Sequence, residues 1–330
     1  MFSLSQLEDA AALIHAVLPP TPQICWPLLS ARCGAEVWVK HENHTPTGAF
    51  KVRGGLVYLD DLRRARPEIA GVVTATRGNH GQSVSFAARR AGIHAVVVVP
   101  HGNSVEKNRA MRALGIELVE HGHDFQAAYE HALELADARK LHMLRSYHPL
   151  LVLGVASYSL ELLRAVPNLD TVYVPIGLGS GVSGMIMARE ALGLKVRIVG
   201  VVAAGAPAYA LSFAAGHAVS TNAADTMADG IACRVPVAEA VALINRGVDR
   251  IVEVTDGEIM TAMRYYFTDT HNIAEGAGAA PLAALLKERR KMAGRRVGLV
   301  LSGGNIDRDL YVSVLDGEKT GEAELEDGEP

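Results

Sequence analysis

The stretch GVVTATRGNHGQSVSFAARRAGIHAVVVVP, residues 71–100, decides how this chain is read. It opens on a β-branched run (71–76), passes through a helix-length segment (80–91) and closes on AVVVVP (95–100). A strand apolar at successive positions has no face to offer water, so helices must cover both sides of its sheet. Strand, helix, strand at this spacing is the repeating unit of a parallel α/β architecture.

The alternation continues along the chain. Strands are expected at EVWVK (36–40), IELVEH (116–121), TVYVPI (171–176), VRIVGVV (196–202), RIVEV (250–254) and VGLVLS (297–302), with the two already quoted. Further helices are expected around 52–66, 104–114, 124–139, 155–165, 182–192, 238–246, 256–268 and 277–293. The opening MFSLSQLEDAAALIHAVLPPTP reads as an amphipathic helix stopped by Pro19-Pro20, without the basic region and unbroken apolar core of a signal peptide. The tail DGEKTGEAELEDGEP (316–330) is acidic and almost without hydrophobic residues, so a poorly ordered end is expected.

A length of 330 residues suggests two domains, and a composition 49% apolar and 21% charged is that of a globular enzyme. The net charge of −4 gives no reason to expect nucleic acid or an anionic membrane as partner. The longest apolar runs are strand-length, so no span of a bilayer is expected. Cys25, Cys33 and Cys233 are odd in number, far apart and lack any C-x-x-C. They read as reduced thiols in a cytosolic protein, with a catalytic thiol left open and a disulfide or zinc site not expected.

Ligands of open α/β sheets collect where strands end and helices begin. Four such junctions carry special residues. PIGLGSGVSG (175–184) has glycines at 177, 179, 181 and 184, which let successive N–H groups face an anion, unless they serve only tight packing. Gly179–Gly184 also fits G-x-G-x-x-G, but a dinucleotide site needs an acid about 20 residues on. No Asp or Glu occurs between Glu190 and Asp225, so a phosphate cradle survives and a nicotinamide site does not. In TATRGNHGQS (74–83), Asn79 and His80 stand at a helix start, where they could hold a ligand oxygen or, more simply, cap the helix. In LSGGNID (301–307), Ser302 could pair with a neutral heteroaromatic nitrogen or act as a capping serine. In HENHTPTGAFKVRGG (41–55), Lys51 lies between Phe50 and Val52. A lysine kept from water has a lowered pKa and is a candidate Schiff-base residue; the alternative is a side chain that snorkels from the helix end.

In this order, these segments resemble the pyridoxal-phosphate enzymes of the tryptophan-synthase-β type (fold type II), and within them the serine/threonine dehydratases. The resemblance runs from about Thr21 to Asn305 and rests on T-G-x-F-K-x-R-G (47–54), G-N-H-G (78–81), the Gly-rich loop, A-D-G-I-A (228–232), Ala-Glu-Gly (274–276) and S-G-G-N (302–305). It implies two open, twisted, mostly parallel sheets flanked by helices, with the cofactor in the cleft between a large domain (1–52 and 146–330) and a small mobile one (53–145). It also implies the site roles. Lys51 would hold the cofactor and move the Cα proton, and Phe50 would pack beside the ring. Asn79 would bond the ring's 3-oxygen, and Gly78, Asn79 and His80 would receive the substrate carboxylate. Backbone amides of Gly177, Leu178, Gly179, Ser180 and Gly181 would bind the phosphate, Ser302 the pyridine nitrogen, and Glu275 would line the substrate side. The implied reaction is β-elimination of a 3-hydroxy amino acid such as L-threonine or L-serine to a 2-oxo acid and ammonia, by a cytoplasmic homodimer. A bulkier or diacid substrate (hydroxyaspartate-like or phenylserine-like) and cysteine-synthase-like β-replacement remain as alternatives.

The departures bear on the substrate. Ala49 stands where the family usually has Ser, and Leu178 and Ser180 interrupt its usual glycine run. Arg77 stands where the family has Ser or Thr. An arginine stays charged and cannot donate the proton a racemase needs, so serine racemisation is not expected. Arg77 reads either as a fork for a carboxylate or as a surface side chain. RIVGVVAAGAPA (197–208) lacks the carboxylates with which metal-activated relatives hold an ion, so no metal is expected there. HPLLVLGVAS (148–157) looks shorter than usual and is expected to border the pocket, where its contraction would admit a bulkier β-substituent.

Overall fold

The computed structural model describes residues 2–317. Its strands are β1 (Gln23–Cys25), β2 (Glu36–His41), β3 (Gly71–Ala75), β4 (His94–Val99), β5 (Glu117–Glu120), β6 (His142–Met143), β7 (Thr171–Pro175), β8 (Arg197–Ala203), β9 (Arg250–Val254) and β10 (Arg296–Leu301). They form a six-stranded sheet in the order β1-β2-β10-β7-β8-β9 and a four-stranded sheet in the order β5-β4-β3-β6. Only β1 against β2 is antiparallel among these pairings. The α/β class with two mostly parallel sheets is therefore what the chain adopts. The larger sheet draws strands from both ends of the chain, and the smaller lies wholly within 71–143.

Strand alternation sends neighbouring side chains to opposite cores. Val172 and Val174 of β7 face a central layer built from the helices Leu4–His15, Lys51–Ala65, Asn79–Ala91, Pro149–Ala165 and Ser180–Ala191. Tyr173 between them faces the outer helices Asp256–Thr270 and Gly276–Lys287. On the smaller sheet, Val73, Ala75, Val96 and Val98 pack on Ala128, Ala132 and Ala136 of the helix Phe125–Arg139.

All eight expected strands form. Two more, β1 and β6, are three and two residues long, too short to leave a periodicity. The helix expected at 155–165 begins at Pro149. His148 caps it by accepting from the Leu150 amide at 3.2 Å, and Pro149 sits at N1, where its fixed φ suits a helix start. The segment is apolar on all sides, so no stripe marked its beginning. The helix expected at 277–293 breaks at Glu288 into Gly276–Lys287 and Arg289–Met292. The short helices Pro27–Cys33, Ala208–Ala215 and Arg308–Asp316 also went unread. Asp316 thus closes a helix, and positions 318–330, where a poorly ordered tail was expected, lie outside the described residues.

What fixes Lys51 in space is packing without side chains and a buried ion cluster. A Cβ at Gly54 would stand 2.7 Å from the Leu151 carbonyl, and one at Gly154 would stand 2.4 Å from that of Arg53. The two helices therefore touch backbone to backbone. Fully buried Arg53 then ties three elements together. It donates to Glu42 at 2.7 and 2.9 Å, to Ser157 at 2.9 Å and to Glu161 at 2.6 and 3.0 Å. Lys40, at the end of β2, also donates to Glu161, at 2.5 Å. Val155 and Ala156 lie in the core and Ser157 faces Arg53, so 148–157 does not border the pocket as expected. Its helical register turns these residues away from the cleft.

Candidate active site

A cavity of about 550 Å³ opens between the carboxyl ends of the two sheets. Phe50, Lys51, Arg77, Gly78, Asn79, His80, the loop Gly177–Gly181, Glu275 and Ser302 all line it. Residues chosen from four separate junctions are thereby brought to one place.

Lys51 begins its helix because the preceding turn is pinned. The Thr45 hydroxyl donates to the Ala49 carbonyl at 2.9 Å and accepts from its amide at 3.0 Å. Gly48 has φ +65°, and a Cβ there would stand 2.4 Å from Asn305 Oδ1, so only glycine fits. Ser83 donates to the Lys51 carbonyl at 2.6 Å. The Lys51 amine is turned inward, 3.2 Å from Ser180 Oγ and 5.0 Å from the centre of the Phe50 ring. Burial lowers its pKa to about 8, with the Glu275 carboxyl opposing. The snorkelling alternative fails, because the amine ends inside the cavity.

The Gly-rich loop is held from behind. Tyr209 donates to the Leu178 carbonyl at 2.9 Å, and Tyr158 donates to that of Gly181 at 3.1 Å. The first-turn amides of the Ser180–Ala191 helix have no carbonyl one turn back and remain free for an anion. A Cβ at Gly177 would stand 2.2 Å from the Gly230 carbonyl. Here the glycine serves close packing as well as the cradle. Phe50 is set edge-on to Tyr158, with ring centres 5.9 Å apart.

Asn79 is not a cap. It is the first residue of its helix, Gly78 precedes it as N-cap, and the side chain that serves that end is Thr76, whose hydroxyl accepts from the Gly78 amide at 2.9 Å and the Gly81 amide at 3.2 Å. Its Oδ1 accepts from Asn305 at 2.8 Å and its Nδ2 donates to Glu275 at 2.7 Å. Burial pushes the Glu275 carboxyl up, against the pull of Lys107 and of the Asn79 hydrogen bond. Burial and the nearby Lys51 push His80 down to about 3, so the ring is neutral, and its Nε2 is buried without a hydrogen-bond partner. Ser302 directly follows β10 and is buried; the next helix starts at Arg308 with Asp307 as its N-cap, so Ser302 is not a cap either.

Arg77 is half exposed at the cavity wall and pairs with Asp229 at 3.4 Å, neither buried nor turned away from the cleft. Lys107 reaches the same carboxylate at 3.4 Å. Neither Lys107 nor Asp229 was singled out from sequence, although Asp229 lies in the quoted A-D-G-I-A. Cys33 and Cys233 are buried, with thiols pushed up to about 12 and about 11, so neither offers a thiolate.

A flat, phosphorylated aldehyde fits this lining. An amine of lowered basicity, a cradle of free amides, a buried hydroxyl in the same lining and an orphaned imidazole nitrogen are the polar features such a molecule would engage. The family model for pyridoxal-phosphate dependent enzymes matches residues 15–303. An L-threonine ammonia-lyase of Thermotoga maritima is 32% identical over 96% of this chain and 78% of its own. An L-threo-3-hydroxyaspartate ammonia-lyase of Saccharomyces cerevisiae is 28% identical over 95% of this chain and 96% of its own. The structure of the processed form of threonine deaminase isoform 2 from Solanum lycopersicum superposes with a TM-score of 0.87 at 28% identity, covering 96% of this chain and 94% of the other.

Proposed function

The chain belongs to the pyridoxal-phosphate-dependent enzymes, and on that premise we propose that it eliminates the β-hydroxyl of a 3-hydroxy amino acid, L-threonine or L-serine first, giving a 2-oxo acid and ammonia. The observation that carries this reading is the inward Lys51 amine, facing both the Gly-rich loop and the Asn79–Glu275 pair.

Pyridoxal phosphate, when bound, supplies an electron sink that acidifies the substrate Cα. Lys51 would hold it covalently; the amides of Gly177–Gly181 would take its phosphate, Ser302 its ring nitrogen and Asn79 its 3-oxygen, with Phe50 beside the ring. With its amine free, Lys51 would take the Cα proton, a task that suits an amine whose pKa burial lowers to about 8. Ser302 lacks an acidic proton for the ring nitrogen, which favours prompt loss of the β-group (an inference from how side chains tune a cofactor). The helix start at Gly78–His80 receives the α-carboxylate, and neutral His80 adds no competing charge. Glu275, pushed toward its neutral form, can give a proton to the departing hydroxyl. The released enamine hydrolyses to oxo acid and ammonia.

Closure of the 53–145 unit over the cleft would exclude water during these steps. No described helix is long and apolar enough to cross a membrane. A cytoplasmic homodimer acting on a free amino acid, without a nucleic-acid or membrane partner, is the setting that goes with this reading.

A panel of 3-hydroxy amino acids assayed for 2-oxo acid tests it. L-threonine or L-serine should be turned over, and addition of sulfide should not divert the product; turnover of neither, or a sulfide adduct, contradicts the reading. Arg77→Ser in the same panel should raise KM at least several-fold if Arg77 grips substrate, whereas unchanged kinetics make it a bystander.

Cofactor loading carries a pH signature. Only the neutral Lys51 amine attacks an aldehyde, and its pKa is lowered to about 8. Loading of cofactor-free protein should therefore slow about tenfold for each pH unit below that value and level off above it. A loading rate flat between pH 6 and about 9 would contradict a desolvated amine.

A further inference from the structure

The substrate end of the cavity holds more positive charge than its motifs explain. Lys107, on the helix Val105–Ala113, is only 11% exposed, and its stem crosses Gly78 so closely that a Cβ there would stand 2.4 Å from Lys107 Cδ. The side chain therefore overhangs the start of the Asn79–Ala91 helix. Its Nζ is 3.4 Å from Asp229 Oδ2, and Arg77 Nη1 is 3.4 Å from Oδ1 of the same carboxylate. Two cations divide one anion, each farther away than the roughly 2.7–2.9 Å of a full charge-assisted hydrogen bond. Asp229 is 40% exposed and makes its ion pairs at this longer range, so it can be displaced. Glu275, the other acid beside Lys107, is engaged by Asn79 at 2.7 Å.

We propose that Lys107 and Arg77 form a two-pronged clamp for the substrate carboxylate, and that Asp229 is its resident competitor, let go when substrate enters. The proposal rests on the reading of Gly78–His80 as the carboxylate-receiving end. A ligand that must break an internal pair binds with its intrinsic affinity reduced by the fraction of open sites. Removing Asp229 should then improve binding, while removing either prong should weaken it. A purely structural role for the Lys107–Asp229 pair gives the same sign for both, because each change would loosen the same contact.

The test uses cofactor-loaded enzyme titrated with malonate by calorimetry, alongside KM for L-threonine. Lys107→Gln should weaken malonate about tenfold or more, the loss of one charge-assisted hydrogen bond, and raise KM by more than it lowers kcat. Lys107→Arg should restore most of the affinity. Asp229→Asn should tighten malonate several-fold and lower KM, a gain that misfolding cannot produce. Weakening by Asp229→Asn to the same degree as by Lys107→Gln overturns the proposal, as does indifference of malonate to both. Malonate affinities that move as stated in an enzyme turning over no 3-hydroxy amino acid uphold the clamp and overturn the proposed reaction instead.

Discussion

Lys51→Ala is expected to remove turnover by about 10²–10⁴-fold or more, the range for losing a positioned proton-transfer group, and to abolish the near-visible absorption of the loaded protein. The fold should survive. Lys51 is the first residue of its helix, and its amine touches the Ser180 hydroxyl and the Phe50 ring. Alanine is a strong helix former, and its introduction removes an amine that burial already disfavours as a cation. Melting of the cofactor-free variant should therefore match that of the cofactor-free parent. Retained absorption together with retained turnover would show that another group carries the cofactor.

Arg53→Met is expected to cost about 3–5 kcal/mol, because removing one partner of a buried ion cluster strands the others without water. Glu42 is fully buried and the Glu161 side chain is 8% exposed; with Arg53 gone, Glu161 would keep Lys40 and His15 as neighbours, while Glu42 would be left with the Thr21 hydroxyl. Such a loss is a large part of the about 5–15 kcal/mol that holds an ordinary domain together. Adding Glu42→Gln and Glu161→Gln to the same chain should recover part of it, since the stranded charges are then gone. Denaturant midpoints measure both. A single variant within about 1 kcal/mol of the parent would mean that the cluster is solvated and not the anchor of the Lys51 helix.

These two residues show what the sequence made legible. Lys51 could be read because a cation between Phe50 and Val52 breaks the local pattern, and because its motif resembles a known one. Arg53 stands two positions on, within the same motif, yet its partners Glu42, Ser157 and Glu161 are brought in from β2's end and a distant helix. Each of those acids, taken alone, looks like a solvated surface charge. Only tertiary packing makes them a cluster.

The same distinction runs through fold and site. The long apolar strands β3, β4, β7 and β10 declare themselves, since burial on both faces leaves a continuous run. β1 and β6 do not, because their pairing is fixed by neighbours already in place. The four junctions were legible as a set, since each alone allows a cap, a tight turn or a snorkelling lysine, whereas their motifs in this order resemble a known family. Lys107 was not, for it sits in VEKNRAMRA among other charges, and nothing but the absent Cβ of Gly78 lets it lie over the cavity. The supposed contraction of 148–157 misled because the segment was taken to border the pocket, whereas it is part of a helix packed into the core.

Borohydride reduction of the cofactor-loaded protein, followed by peptide mapping, addresses the central claim most directly. The account predicts a phosphopyridoxyl mark on the peptide containing Lys51 and on no other. A mark on Lys107 or any other lysine, or no mark on protein that retains bound cofactor, would contradict it.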